Sequence, residues 1–103
     1  MSIRVLDAKQ PYEEYYIKFD FTNVIGTAEI DSSVVSAIDS SGADATTTVT
    51  KVANQLIATP YVNVWVQGGV TGERYTITCK IVTDAGEKYE LEAELPVVEI
   101  SKY

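Results

Sequence analysis

The stretch YVNVWVQGGVTGERYTITCKIVTDAGEKYELEAEL, residues 61–95, decides the fold. From Tyr61 to Val66, valines alternate with Tyr61, Asn63 and Trp65, the period-two pattern of a strand whose two faces differ. Burying the Asn63 amide would be costly, so Val62, Val64 and Val66 take the core side. Further on, Asp84, Ala85 and Gly86 suit a three-residue hairpin loop, a type I turn followed by a left-handed glycine, closing on Thr83 and Glu87. That closure sets Ile81 opposite Tyr89, Cys79 opposite Leu91, Ile77 opposite Ala93 and Tyr75 opposite Leu95, so every inward residue meets an inward one. On the outer face the same register places Val82 against Lys88 and Lys80 against Glu90, a charge pair contributing roughly 0.2–1 kcal/mol. A slip of one residue would invert the whole face. Glu90, Glu92 and Glu94 therefore line a solvent face, where carboxylates discourage aggregation or meet a basic partner. Tyr75 opens the penultimate strand just after the corner at Gly72, where sandwich domains use a tyrosine hydroxyl to bond the upstream backbone.

Upstream, the period stays at two, and no window of a dozen residues holds a helical stripe. Ile3 and Val5 suggest a short first strand before the turn-prone DAKQP. Next, Tyr15, Ile17, Phe19 and Phe21 share one face while Tyr16, Lys18, Asp20 and Thr22 share the other. The chain then turns through Asn23 and Gly26. Ile30, Val34 and Ile38 are expected on the inward side of a third strand, ended by the polar loop of residues 39–44. Thr46, Thr47 and Thr48 with Val49 and Val52 have high β-propensity and little apolar content, and read as a fourth strand at a sheet edge. Residues 55–58 are extended, and Pro60 belongs at an edge, a strand start or a bulge. These segments predict an all-β chain: an immunoglobulin-like antiparallel β-sandwich of about seven strands, in a single domain over residues 1–103.

Composition narrows function mainly by exclusion. A chain of 103 residues has room for one core. Its single cysteine, Cys79, falls mid-strand as a small buried hydrophobe. With no histidine there is no ordinary Ser-His-Asp or Cys-His system and no usual zinc site. Gly68, Gly69 and Gly72 are not followed by a helix or by the Lys-Ser/Thr of a phosphate loop. Glu13 and Glu14 are adjacent and would point to opposite faces, which does not suit an acid/base pair. Catalytic residues, cofactors and a small-molecule substrate are not expected. A net charge of -7 with scattered cations disfavours nucleic acid and anionic membranes. MSIRVLDAKQPYEEYY does not read as a signal peptide, and no apolar run approaches membrane-spanning length, so a soluble chain made in a cytoplasm is expected.

Two constellations invite a closer look. Asp7, Asp31, Asp39, Asp44 and Asp84 lie in or near turns and are hard oxygen donors, but their spacing fits no EF-hand and no metal site is expected. Trp65, Tyr61 and Tyr16 face outward by the alternation. Exposed aromatics of this kind pair across strands, form a protein contact or make a sugar-stacking platform.

Several local motifs occur in order: Asp7-Ala8-Lys9, the acids Glu13 and Glu14 before a strand, Val64-Trp65-Val66-Gln67-Gly68-Gly69, Gly72-Glu73-Arg74-Tyr75 and Thr83-Asp84-Ala85-Gly86. Together they resemble the small immunoglobulin-like structural proteins encoded among head and tail genes of tailed bacteriophages and prophages. The similarity covers most of the chain and is strongest over residues 62–95. The chain departs from it at Val34 and Val35, where the resemblance predicts a tryptophan, and in the long connection from Asp39 to Pro60. The resemblance implies a non-enzymatic, virion-associated structural or assembly component made in the bacterial host cytoplasm. Its expected partners are other phage head or tail proteins or further copies of itself, with Trp65, Tyr61, Tyr16, Glu90, Glu92 and Glu94 as the candidate interaction surface. The alternative is a carbohydrate- or surface-binding β-sandwich module using the same aromatics.

Overall fold

The structure is a computed structural model and describes residues 4–51, 53 and 55–99. Its strands are β1 (Arg4–Val5), β2 (Tyr15–Asp20), β3 (Ile30–Ile38), β4 (Leu56–Ala58), β5 (Tyr61–Val66), β6 (Arg74–Thr83) and β7 (Lys88–Pro96). Two short helices, α1 (Thr22–Ile25) and α2 (Thr46–Val49), interrupt the series. The strands form a four-stranded sheet in the order β1-β7-β6-β3 and a three-stranded sheet in the order β2-β5-β4. The all-β sandwich expected from the sequence is therefore present. Pairing is antiparallel except for β1, which joins β7 in parallel.

The β6–β7 hairpin has the register that its loop dictates. Thr83 N–H donates to the Glu87 carbonyl at 2.8 Å and Gly86 N–H to the Thr83 carbonyl at 2.9 Å, with Gly86 at φ 83°. Ile81 then pairs with Tyr89, Cys79 with Leu91, Ile77 with Ala93 and Tyr75 with Leu95. The inward residues of β6 and β7 meet those of β2 and β5, so Ile77, Ile81 and Leu95 pack with Phe19, Val62 and Val64 in one hydrophobic cluster. Tyr75 is buried, and its hydroxyl accepts the Val70 N–H at 2.9 Å. This is the corner bond expected from its position.

Two expectations fail in the middle of the chain. Along β3, the inward residues after Ile30 are Val35 and Ala37, whereas Val34 is 64% exposed and Ile38 also faces solvent. The cause is a register shift between Ile30 and Ser32 that inserts one residue and reverses the parity of all that follows. The threonine run forms no edge strand. It forms α2: the Asp44 carboxylate, one residue before the N-cap Ala45, accepts both the N–H and the hydroxyl of Thr46 in an Asx turn that leads into the helix, whose last residue, Val49, is buried in the core. The long connection from Asp39 to Pro60 is thus occupied by α2 and β4. Ile3 of the expected first strand and Val52 of the expected fourth lie outside the described residues.

Candidate functional site

Neighbouring strand residues in register project to the same face, so the pairings fix what each sheet shows to solvent. On the three-stranded sheet Tyr16 pairs with Trp65, Lys18 with Asn63 and Asp20 with Tyr61. Tyr16 and Trp65 meet edge to face, with ring centroids 5.0 Å apart and planes at 79°. The Trp65 indole N–H donates to a Glu14 carboxylate oxygen at 3.3 Å. The Lys18 ammonium lies 4.3 Å from the Tyr61 ring centroid, a cation–π arrangement. The three outward aromatics thus share one face with Lys18, and each ring already has a neighbour that limits its motion. Tyr16 is 41% exposed, while Trp65 and Tyr61 are half-buried.

The glutamates lie elsewhere. Glu90, Glu92 and Glu94 project from β7 on the outer face of the four-stranded sheet, so the sandwich core separates them from Trp65, Tyr61 and Tyr16. Two of them, Glu92 and Glu94, are also engaged locally. Arg74 makes an ion pair with Glu94 at 2.9 Å, the Thr78 hydroxyl donates to Glu92 at 3.4 Å, and Glu90 stands opposite Lys80. The six residues grouped from sequence therefore form two separate faces.

Three of the turn carboxylates hold loop backbone in place. Asp39 accepts from Ser41 and from the Ala43 N–H, Asp44 accepts from Thr46, and Asp84 accepts the Glu29 N–H. Hydrogen bonds from these neighbours, chiefly the Ser41 and Thr46 hydroxyls, lower the pKa of Asp39 and of Asp44. Among the described residues no three His, Cys, Asp or Glu side chains come together as a metal-binding group would require. Cys79 is wholly buried, and burial pushes its thiol up to about 12, which keeps it a neutral hydrophobe.

Sequence reasoning missed Lys9. Its side chain is 0% exposed, and its ammonium donates to the carbonyls of Gly68 at 2.6 Å, Gln10 at 2.7 Å and Pro11 at 3.3 Å. Burial lowers its pKa, opposed by the nearby Glu13 and Glu14 carboxylates. A lysine in a polar turn is exposed by default, and only three converging carbonyls from two distant segments make this one different. The clip fixes the turn of residues 10–14 against the β5–β6 loop, and that turn carries Glu14 to the Trp65 indole.

A comparison with curated proteins finds no match. A family model does match, over residues 9–96, from the buried Lys9 to the last residue of β7. That family is Gp77, described as the podophage GP4 fiber-tail adaptor protein gp77. The match takes in every strand of the sandwich but β1, together with the corner tyrosine, the hairpin and the lysine clip, and the chain belongs to this family of phage structural proteins.

Proposed function

We propose that the chain is a non-enzymatic adaptor of a phage virion, a single sandwich domain over residues 1–103 that joins tail parts through the outward face of its three-stranded sheet. The match of the adaptor family over residues 9–96 carries this reading. The geometry supports it further: Tyr16, Trp65 and Tyr61 form a pre-arranged aromatic face of the kind enriched at protein interfaces, with the Lys18 ammonium held over the Tyr61 ring. Its partners are other tail proteins or further copies of this chain, met after synthesis in the host cytoplasm. Glu90, Glu92 and Glu94 act as a solvated face that keeps the opposite side from associating. The sugar-binding reading has less support, because Tyr16 and Trp65 stand nearly perpendicular and do not offer a flat stacking platform.

Adding purified protein to phage particles that lack it tests this reading. The wild type is expected to bind. The Tyr16→Ala, Trp65→Ala double variant is expected to bind at least about tenfold more weakly, since a truncated aromatic anchor typically costs ~2 kcal/mol. Equal binding by the variant would remove the aromatic face from the interface. Failure of the folded wild type to bind any particle would remove the adaptor reading itself.

A further inference from the structure

In β2 the odd-numbered residues bond into the ladder with β5, and the even-numbered ones turn their N–H and C=O groups to the other edge. The Lys18 carbonyl shows this directly, because it points away from β5 and accepts the Arg4 guanidinium at 2.9 Å. Among the described residues no strand lies beside this edge, which ends the order β2-β5-β4. Across the seam, β7 is covered by β1 only at Ala93 and Glu94. Between the two edges lies a cleft of about 230 Å³ lined by Arg4, Phe19, Asp20, Leu91, Glu92 and Ala93. Its floor is apolar: Phe19 and Ala93 are core residues, and Leu91 packs against them.

We propose that β2 receives an extended segment of another virion protein as an added strand, taking up the backbone groups of Tyr16, Lys18 and Asp20. An exposed edge strand is a row of directional donors and acceptors that only another strand satisfies in full. Arg4 occupies one of these positions with a side-chain donor, where the incoming strand supplies a backbone N–H. Alternate side chains of the added strand fall over the cleft above Phe19 and Leu91, so the segment is alternately apolar. Covering Tyr16–Asp20 takes about five residues, or roughly 17 Å of chain. A different protein fits better than a second copy. Antiparallel self-pairing centred on Lys18 would place that ammonium against its own image, and each copy carries a net charge of -7. The added strand would extend the sheet that presents Tyr16 and Trp65, so this inference rests on the docking role proposed above and specifies its geometry.

Hydrogen exchange by mass spectrometry, comparing the isolated protein with the same chain in purified virions, separates the two claims. The amides of Tyr16, Lys18 and Asp20 are expected to exchange fast in isolation and at least about tenfold more slowly in the particle. If the chain is in the particle but these amides exchange at the isolated rate, strand addition is overturned and docking by the aromatic face stands. If the chain is absent from virions, both fail. A Lys18→Pro variant gives a second arm: it removes an outward N–H without touching the β2–β5 ladder. It is expected to lower incorporation at least about tenfold relative to Lys18→Ala, equivalent to 1.4 kcal/mol or more. Equal incorporation of the two folded variants would overturn the proposal.

Discussion

The Lys9 ammonium sits 2.6 Å from the Gly68 carbonyl oxygen, joining two segments 59 residues apart in the chain. Lys9→Met keeps most of the apolar stem and removes all three donors, leaving the carbonyls of Gly68, Gln10 and Pro11 without the cation. The variant is expected to lose about 1.5–3 kcal/mol, read as a lower urea midpoint at unchanged slope. An unchanged midpoint would show that the clip does not hold the turn. The pH dependence has a definite sign. Because folding lowers the Lys9 pKa from 10.5, the unfolded chain holds this proton more tightly, and this group's contribution to stability increases as pH rises between the two values. Lys9→Met removes that component.

Tyr75→Phe deletes only the hydroxyl that accepts the Val70 N–H. The aromatic ring stays in the core, so the cost is confined to one hydrogen bond, about 1 kcal/mol. A thermal melt checks the size, and faster exchange of the Val70 amide checks the site.

Gly69 and Gly86 both have positive φ, at 95° and 83°, but they differ in surroundings. A Cβ at Gly69 would come within 2.9 Å of Val97 Cγ2 and 3.2 Å of the Tyr75 ring, whereas one at Gly86 meets nothing within 4 Å. Gly86→Ala is expected to cost only the backbone term, about 1–2 kcal/mol. Gly69→Ala adds a steric clash and should lower the melting temperature further. A reversed order would contradict the packing described at this corner.

Cys79 should resist thiol reagents at neutral pH in the folded protein and react only on unfolding, because its thiol is buried and its pKa raised from 9.0 to about 12. Its stabilising contribution is complete below 9.0 and is lost as pH rises toward about 12, since the unfolded chain ionises first. Cys79→Ala should therefore weaken the fall of stability over that alkaline window, whatever its effect at neutral pH. Identical slopes for the two proteins would rule the thiol out as the source.

The ends of the fold were legible and the middle was not, for physical reasons. The β6–β7 register follows from one loop, Asp84 to Gly86, and a clean alternation leaves a single solution. β3 misled because Val34 and Val35 are both apolar, and the register shift after Ile30 chooses between them without any mark in composition. The threonine run misled because propensity favours strand, and the Asp44–Thr46 turn, a local side-chain bond, overrides it. For the site, alternation found the outward aromatics, but it cannot say which sheet a residue belongs to. The glutamates and Trp65 were therefore joined in one surface that the sandwich divides. The burial of Lys9 left no signal in the local pattern, since it depends on Gly68, far along the chain.

Cross-linking mass spectrometry on intact virions with an amine-reactive reagent tests the adaptor role most directly, because the two faces carry different lysines. Lys18 stands on the aromatic face, and Lys80 and Lys88 stand on the glutamate face. The expected result is cross-links from Lys18 to another tail protein, with Lys80 and Lys88 modified by the reagent but unlinked. Cross-links confined to Lys80 and Lys88, or a particle that does not contain the chain, would contradict it.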